Sequence, residues 1–341
     1  MADAAAILGC SGPRLTTEER AFFRAERPWG FILFKRNVDT PDQVRALVDD
    51  LRACVDRSDA PVLIDQEGGR VQRLGPPHWR RYPPGRAYGD LAANDPLARR
   101  EIVRLGARLL AHDLAALGIN VDCVPVLDVP EPGAHDVIGD RAYGDTADEV
   151  AALGRAAAEG LIAGGVLPVI KHIPGHGRAH ADSHLALPVV EAAMADLDVR
   201  DFAPFKSLSD MPMAMTAHVV YTAIDPRRPA TTSAKAIRQV IRGTIGFAGL
   251  LMSDDLSMKA LSGDFAARAR ASLAAGCDVI LHCNGDMAEM KAVLGGARPL
   301  AGRAKTRAAA ALARLPKVVE PFDAAEARAR FDAAFGGRWA A

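Results

Sequence analysis

An alternation that runs nearly the whole length of the chain limits its possible folds more than any other feature. Short apolar runs recur at 30–34 (GFILF), 61–65 (PVLID), 119–126 (INVDCVPV), 167–172 (LPVIKH), 213–218 (MAMTAH), 249–254 (GLLMSD) and 277–283 (CDVILHC). Longer amphipathic stretches separate them, as in βα units wound around a parallel sheet. Thr40-Pro41 with Gln43 supplies an N-cap, a first-turn proline and a capping-box partner. Asn94-Asp95-Pro96 opens a longer helix with Ile102, Leu105, Leu109 and Leu114 on one stripe, and Gly118 closes it. The segment 76–85 (PPHWRRYPPG) is a long loop, because the alternation resumes beyond it.

Several apolar runs end on a polar or ionisable residue: Asp65, His172, His218, Asp254 and His282. A barrel assembles its active site from the C-terminal ends of all its strands, so this pattern favours a barrel over an open doubly wound sheet. No G-x-G-x-x-G follows a strand-like run to support a dinucleotide fold. The expected fold class is therefore α/β, a single-domain (β/α)8 TIM-type barrel over residues 1–341.

With 49% hydrophobic residues the chain can build a large core, and its formal net charge of zero leaves no basic footprint for nucleic acid. The five cysteines, Cys10, Cys54, Cys123, Cys277 and Cys283, form no C-x-x-C pair, which suits reduced thiols. At the N-terminus, MADAAAILGCSG has no early Lys or Arg, carries Asp3, and is too short in its apolar run for a secretory signal. No segment approaches the ~20 apolar residues of a membrane span. The expectation is a cytoplasmic protein with no membrane or nucleic-acid partner.

The stretch KHIPGHGRAHADSH, 171–184, places His172, His176, His180 and His184 four residues apart. On a helix that spacing would stack the rings on one face and suggest a metal site. Pro174, Gly175 and Gly177 argue against a helix, and the segment follows the apolar run LPVI directly, where a barrel has a βα loop. The H-x-x-x-H pairs also lack the intervening Glu of a zincin helix. Glycines at 175 and 177 give the 173–183 loop conformational freedom to move. An alternative use is acid/base chemistry: Asp182 and His184, two apart in a tight turn, can hydrogen-bond, which fixes a tautomer.

KHIPGHG…ADSH resembles the KHFPGHG…ADSH signature of the bacterial β-N-acetylglucosaminidases of glycoside hydrolase family 3, with Ile173 in place of the usual Phe. GFILFKRN (30–37), DQEGGRVQRL (65–74), IGDRAYG (138–144), MTAHVVY (215–221) and GLLMSDDLSM (249–258) are similar to that family too, and in its order. The resemblance covers nearly the whole chain. It implies a retaining exo-β-N-acetylglucosaminidase that removes terminal β-linked N-acetylglucosamine from muropeptides during cell-wall recycling, with no cofactor and no metal. It further implies Asp254 as nucleophile, His184 as general acid/base and Asp182 as the residue that orients His184. Asp65, Arg73, Arg141, Lys171 and His172 match its sugar-contacting positions.

Each role suits the residue's chemistry. Retaining hydrolysis needs a carboxylate at the anomeric carbon and a proton donor at the leaving oxygen. Adjacent strand side chains point oppositely, so Asp254 and Asp255 do not share the role, and Asp255 suits the N-cap of a helix. An imidazole with intrinsic pKa near 6.5 transfers protons both ways near neutrality. Glu67 and Asp140 are expected to support their loops, His176 to brace the 173–183 loop, and His218 either to line the pocket or to end a strand. Some members of the family carry a second α/β sandwich domain; none is expected here, so the barrel supplies every group. The expected partner is a small amino-sugar substrate, and the expected state a monomer. Two other readings remain open: a barrel metallohydrolase using the 172–184 histidines, and a catalytically silent amino-sugar sensor.

Overall fold

The computed structural model describes residues 2–91, 95–179, 183 and 186–339. Eight parallel strands close into a barrel: β1 (Ala4–Leu8), β2 (Pro28–Leu33), β3 (Val62–Ile64), β4 (Val121–Asp122), β5 (Leu167–Ile173), β6 (Met213–Thr216), β7 (Leu250–Asp255) and β8 (Val279–His282). Each strand pairs with its neighbours in the chain, and β8 closes onto β1 with Ala6 opposite Ile280. The α/β barrel expected from the alternation is the fold observed.

Seven of these strands lie within or against the apolar runs. β1 is different, because it occupies the N-terminal segment that sequence patterning weighs only as a leader. Its run AAAIL has little intrinsic strand preference. Pairing on both sides, with β2 and β8, and burial of Ile7 and Leu8 hold it in place. Strands such as β5 are buried along their whole length, as expected where helices cover one face and the barrel interior the other.

The helix caps follow the sequence signals closely. Thr40 accepts a hydrogen bond from the Gln43 backbone at 3.3 Å ahead of the helix Pro41–Val55. The Gln43 side chain reaches one residue further back than a capping box would, to the amide of Asp39 at 2.8 Å. Asp95 caps Pro96–Ala115, whose Leu109 and Leu114 are buried while Ile102 and Leu105 pack half-buried against the core. The C-terminal helix Ala324–Ala334 packs on this one and inserts Phe331 between Tyr82 and Tyr88. Loop 76–85 is thereby anchored at its far end. Among the described residues no helix is long and apolar enough to cross a membrane. All five cysteines are buried and unpaired.

Candidate active site

The C-terminal ends of the strands converge on a cavity of about 270 Å³ lined by Asp65, Arg73, Arg141, Lys171, His172 and Asp254 among others. All six were singled out from the sequence, and they come from five separate segments of chain. Asp65 directly follows β3, Lys171 and His172 precede the last residue of β5, and Asp254 is next to last in β7.

One wall is a dense ionic clamp. The Lys171 ammonium lies 2.9 Å from Asp65 and 2.7 Å from Glu67. Arg73 bonds the second oxygen of Asp65 at 3.1 Å, and Arg141 grips Glu67 with a bidentate fork at 2.8 Å for each bond. Burial alone would push the Asp65 carboxyl up, but Lys171 and Arg73 outweigh it and hold the group well below the usual carboxylate range. For Glu67 the same contest, against Arg141 and Lys171, ends at about 2. Lys171 is desolvated as well, yet its two carboxylate partners raise it above an ordinary lysine. Every member is therefore charged at neutral pH, as buried ion pairs must be to justify their desolvation. Glu67, expected only to support its loop, joins Arg141 to Lys171 and so holds two of the sugar-site candidates. Asp140 does play the outer supporting role, 3.1 Å from Arg70 at the surface.

Beside the clamp lies a group that sequence reasoning missed. Asp128 is fully buried; it accepts the His172 amide at 3.2 Å, faces the His172 Nδ1 at 2.7 Å, and accepts the His176 amide at 2.6 Å. Burial opposes its ionisation, and His172 overcomes that to keep the carboxyl below its usual value. With Nδ1 so engaged, His172 turns its other nitrogen elsewhere, as when a carboxylate sets an imidazole's tautomer. The available signal was a carboxylate just past an apolar run, in VPVLDVP, the same one that picked out Asp65. A second omission is Asp122 at the end of β4, which accepts the Gln66 amide at 2.9 Å. Its other oxygen has no partner among the described residues, and burial pushes the carboxyl up to about 8. Asp122 is thus a neutral acid beneath a charged clamp.

The histidine ladder does not form a helix over its described part: His172 is in β5 and 174–179 are turn or irregular. The His172 and His176 rings do meet, 5.7 Å apart and edge to face, through the fold of the loop. His176 is buried, which pushes its imidazole down to about 4 and keeps it neutral, with Nε2 3.3 Å from the Ser183 hydroxyl. The glycines beside it differ from simple hinges. Gly175 has φ +135°, a conformation closed to other residues, whereas a Cβ on Gly177 would lie 2.0 Å from the Val129 carbonyl oxygen. Close packing, not torsional freedom, requires Gly177. Residues 174–179 are further tied down by Arg178, which ion-pairs with Asp201 at 2.7 Å and with Glu131. Asp182, His184 and His180 lie outside the described residues; Ser183, between the first two in sequence, lines the pocket.

The part of the lining that comes from β6 to β8 is less charged: besides Asp254 and Asp255 it consists of Met215, Met258, Leu281 and Cys283. Asp255 accepts both the amide of Ser257, at 3.0 Å, and that of Cys283, at 3.1 Å; it braces the turn after β7 and is not the helix N-cap expected, because the next helix starts at Phe265 and is capped by Asp264. His218 neither lines the pocket nor ends the strand, which stops at Thr216; it lies in the irregular segment just beyond β6. It is buried between the Thr231 hydroxyl, 2.7 Å away, and the Asp255 carbonyl oxygen, 3.0 Å away, and burial lowers its pKa. A neutral His218 can donate to that carbonyl and prop the turn that carries the two aspartates.

Known proteins extend these observations. Residues 9–317 match the model of the glycosyl hydrolase family 3 N-terminal domain. A beta-hexosaminidase of Methylococcus capsulatus is 43% identical over 277 residues, 80% of either chain. Crystal structures of NagZ from Neisseria gonorrhoeae superpose at 30% identity. The complex with zinc ion gives a TM-score of 0.83, covering 99% of this chain and 97% of that one. The complex with N-trifluoroacetyl-D-glucosamine gives 0.81 with 98% of each covered. A family model spanning most of the barrel, together with relatives of this identity over four-fifths of the chain, shows that the protein belongs to glycosyl hydrolase family 3 and is a glycoside hydrolase.

Proposed function

We propose that this glycoside hydrolase is a retaining exo-β-N-acetylglucosaminidase that takes terminal β-linked N-acetylglucosamine from muropeptides in the cytoplasm. The observation that carries the reading is the sharing of one cavity by Asp254 and the Asp65–Lys171–Glu67–Arg141 clamp. A carboxylate nucleophile then shares its pocket with fixed donors and acceptors for hydroxyl groups. Relatives named beta-hexosaminidase, and a neighbour structure holding an N-acylated glucosamine analogue, support the amino-sugar part.

In the first step an Asp254 carboxylate oxygen bonds to the anomeric carbon as the bond to the leaving oxygen breaks, and His184 gives its proton to that oxygen. In the second, His184 takes a proton from water as the water oxygen attacks the same carbon and releases Asp254. Two inversions keep the β configuration. Asp182 orients the imidazole, and Asp65, Arg73, Arg141, Lys171 and His172 hold the sugar. With His176 held neutral well below pH 7, it is a poor alternative proton donor. All of these groups come from the barrel.

The deciding assay compares purified protein on an aryl β-N-acetylglucosaminide and the matching glucoside. Hydrolysis of the first with a β product supports the reading, and preference for the glucoside overturns it. Among the described residues no group of three or more His, Cys, Asp or Glu could hold a metal ion. Because Pro174 and Gly175 break the histidine ladder, exhaustive dialysis against a chelator is expected to leave activity unchanged; activity restored only by added metal would favour the metallohydrolase reading.

A further inference from the structure

Under the proposed function Arg73 and Arg141 both hold the sugar, yet the protein fixes them differently. Arg141 is locked by its fork onto Glu67 and by a further bond to the Val137 carbonyl at 3.1 Å. Arg73 makes one side-chain hydrogen bond, to Asp65 at 3.1 Å, and its buried Nε has no partner among the described residues. A fork fixes the plane of a guanidinium, whereas a single bond leaves that plane free to turn. Phe34 supplies the second constraint. The Arg73 guanidinium lies over the Phe34 ring, 4.8 Å from its centroid, where the negative face of the ring attracts it and favours stacking.

The ring is itself tied to fixed backbone. Phe34 directly follows β2, and its amide donates to the Asn37 side chain at 2.9 Å. The Arg36 guanidinium also lies over the ring, 5.2 Å from the centroid. Although Arg36 is exposed, its Nε donates to the Cys10 carbonyl at 2.9 Å, and a terminal nitrogen donates to the Cys283 carbonyl. It thereby staples the segments after β1 and β8 to the one after β2. Cys283 in turn gives its amide to Asp255, the neighbour of Asp254 in the chain. One pocket-lining aromatic ring thus joins the brace of the Asp254 turn to a cation of the ionic clamp.

We propose that Phe34 is a positioning residue whose ring face orients Arg73, so that the donors not given to Asp65 point into the pocket. The assignment rests on the reading of Arg73 as a sugar-holding group and deepens it by naming what aims that group. Phe34 passes no proton and forms no bond to the substrate; its effect is carried by Arg73 alone. A phenylalanine that merely filled space, or one that touched the sugar itself, would act independently of Arg73.

The test is a double-mutant cycle on the full chain. Turnover is followed on an aryl β-N-acetylglucosaminide, and binding as the inhibition constant of free N-acetylglucosamine. An inhibition constant does not depend on how much of the protein is folded, so a folding defect lowers only the apparent kcat. Arg73→Ala is expected to raise the inhibition constant about 30-fold, and Phe34→Leu, which keeps apolar bulk but loses the ring face, about five-fold. The double variant should bind no more weakly than Arg73→Ala alone, because a ring without a guanidinium to orient contributes nothing. Phe34→Tyr keeps the face and should recover most of what Phe34→Leu loses. Losses that multiply, to about 150-fold in the double variant, overturn the role of Phe34 and leave that of Arg73 standing. An Arg73→Ala inhibition constant equal to that of wild type overturns Arg73 as a sugar holder, and this assignment with it. Failure of wild type on the aryl glycoside overturns the proposed activity itself.

Discussion

From β3 to β5 the pocket wall carries Arg73, Arg141 and Lys171 interlocked with Asp65 and Glu67. From β6 to β8 the described lining residues are Met215, Asp254, Asp255, Met258, Leu281 and Cys283, without a lysine or arginine among them. The contrast matches two jobs. Binding a neutral sugar by its hydroxyls needs fixed donors and acceptors, and a mutually neutralised ionic network supplies both with little net field. Cleavage builds positive charge at the anomeric carbon, so a cation beside Asp254 would oppose it while a carboxylate among thioethers and a thiol stabilises it. On the proposed mechanism the first wall would hold the substrate, and the second would stay free of positive charge.

The sharpest way to break this division is to remove the carboxylate from the second wall. Asp254→Ala is expected to lower kcat by at least about 10⁴-fold for aryl and sugar leaving groups alike, because no intermediate can form. A surviving rate on the aryl substrate, or labelled sugar recovered on Asp255, would dissolve the assignment.

Next in size is His184→Ala, with about 10²–10⁴-fold lost on poorly activated leaving groups. An aryl leaving group of low pKa needs little protonation, so its departure slows less than the later attack by water. The glycosyl-enzyme should then accumulate, seen by mass spectrometry on the peptide containing MSDDLSM. Asp182→Ala should act in the same direction but more mildly. Equal losses for all leaving groups would argue that His184 does not transfer the proton.

The first wall is tested through stability. Lys171→Ala strands two buried carboxylates and should cost about 3–5 kcal/mol in denaturant unfolding, besides raising KM. A loss under about 1 kcal/mol, the size expected of an exposed pair, would show the clamp to be far less rigid than its geometry. Because Glu67 is held at about 2, below its unfolded value, its contribution is present above the unfolded pKa and lost as pH falls from about 4.5 toward 2.

Asp122, below the same wall, has the opposite sign. Its folded pKa is raised to about 8, so the unfolded chain releases that proton near ~3.9 while the native protein keeps it. Its effect is to lower stability progressively as pH rises between those values. Asp122→Asn keeps an acceptor for the Gln66 amide and removes the titration. The variant should therefore gain on wild type, by up to about 5 kcal/mol, at pH 8 relative to pH 4. An unchanged difference across that range would mean that the acid is ionised in the folded protein.

The parts of this molecule that sequence patterning reveals are those whose causes lie nearby in the chain. Thr40-Pro41 and Asp95-Pro96 cap helices through atoms two or three residues away. The run LPVIKH is a strand because consecutive apolar residues suit a sheet buried on both faces. β1 escaped that reading because AAAIL becomes a strand only when β2 and β8 flank it. Asp128 and Asp122 escaped for a related reason: Asp128 follows an apolar run and Asp122 interrupts one, yet their importance depends on which partners the barrel brings to them.

By itself the sequence determined a barrel's periodicity, its helix caps, and a set of acids, bases and cations at the strand ends. Only the tertiary structure decided which of them meet. It set Lys171 against Asp65 across 106 residues, Arg141 against Glu67 across 74, and Asp128 beneath His172 across 44. It also decided their charge, holding Asp65 ionised and Asp122 protonated although both are buried aspartates beside the same lysine. Propensity and capping are short-range and therefore legible along the chain. Ionisation depends on desolvation and on opposite charges within a few ångströms, and closure of the barrel brings those from distant strands.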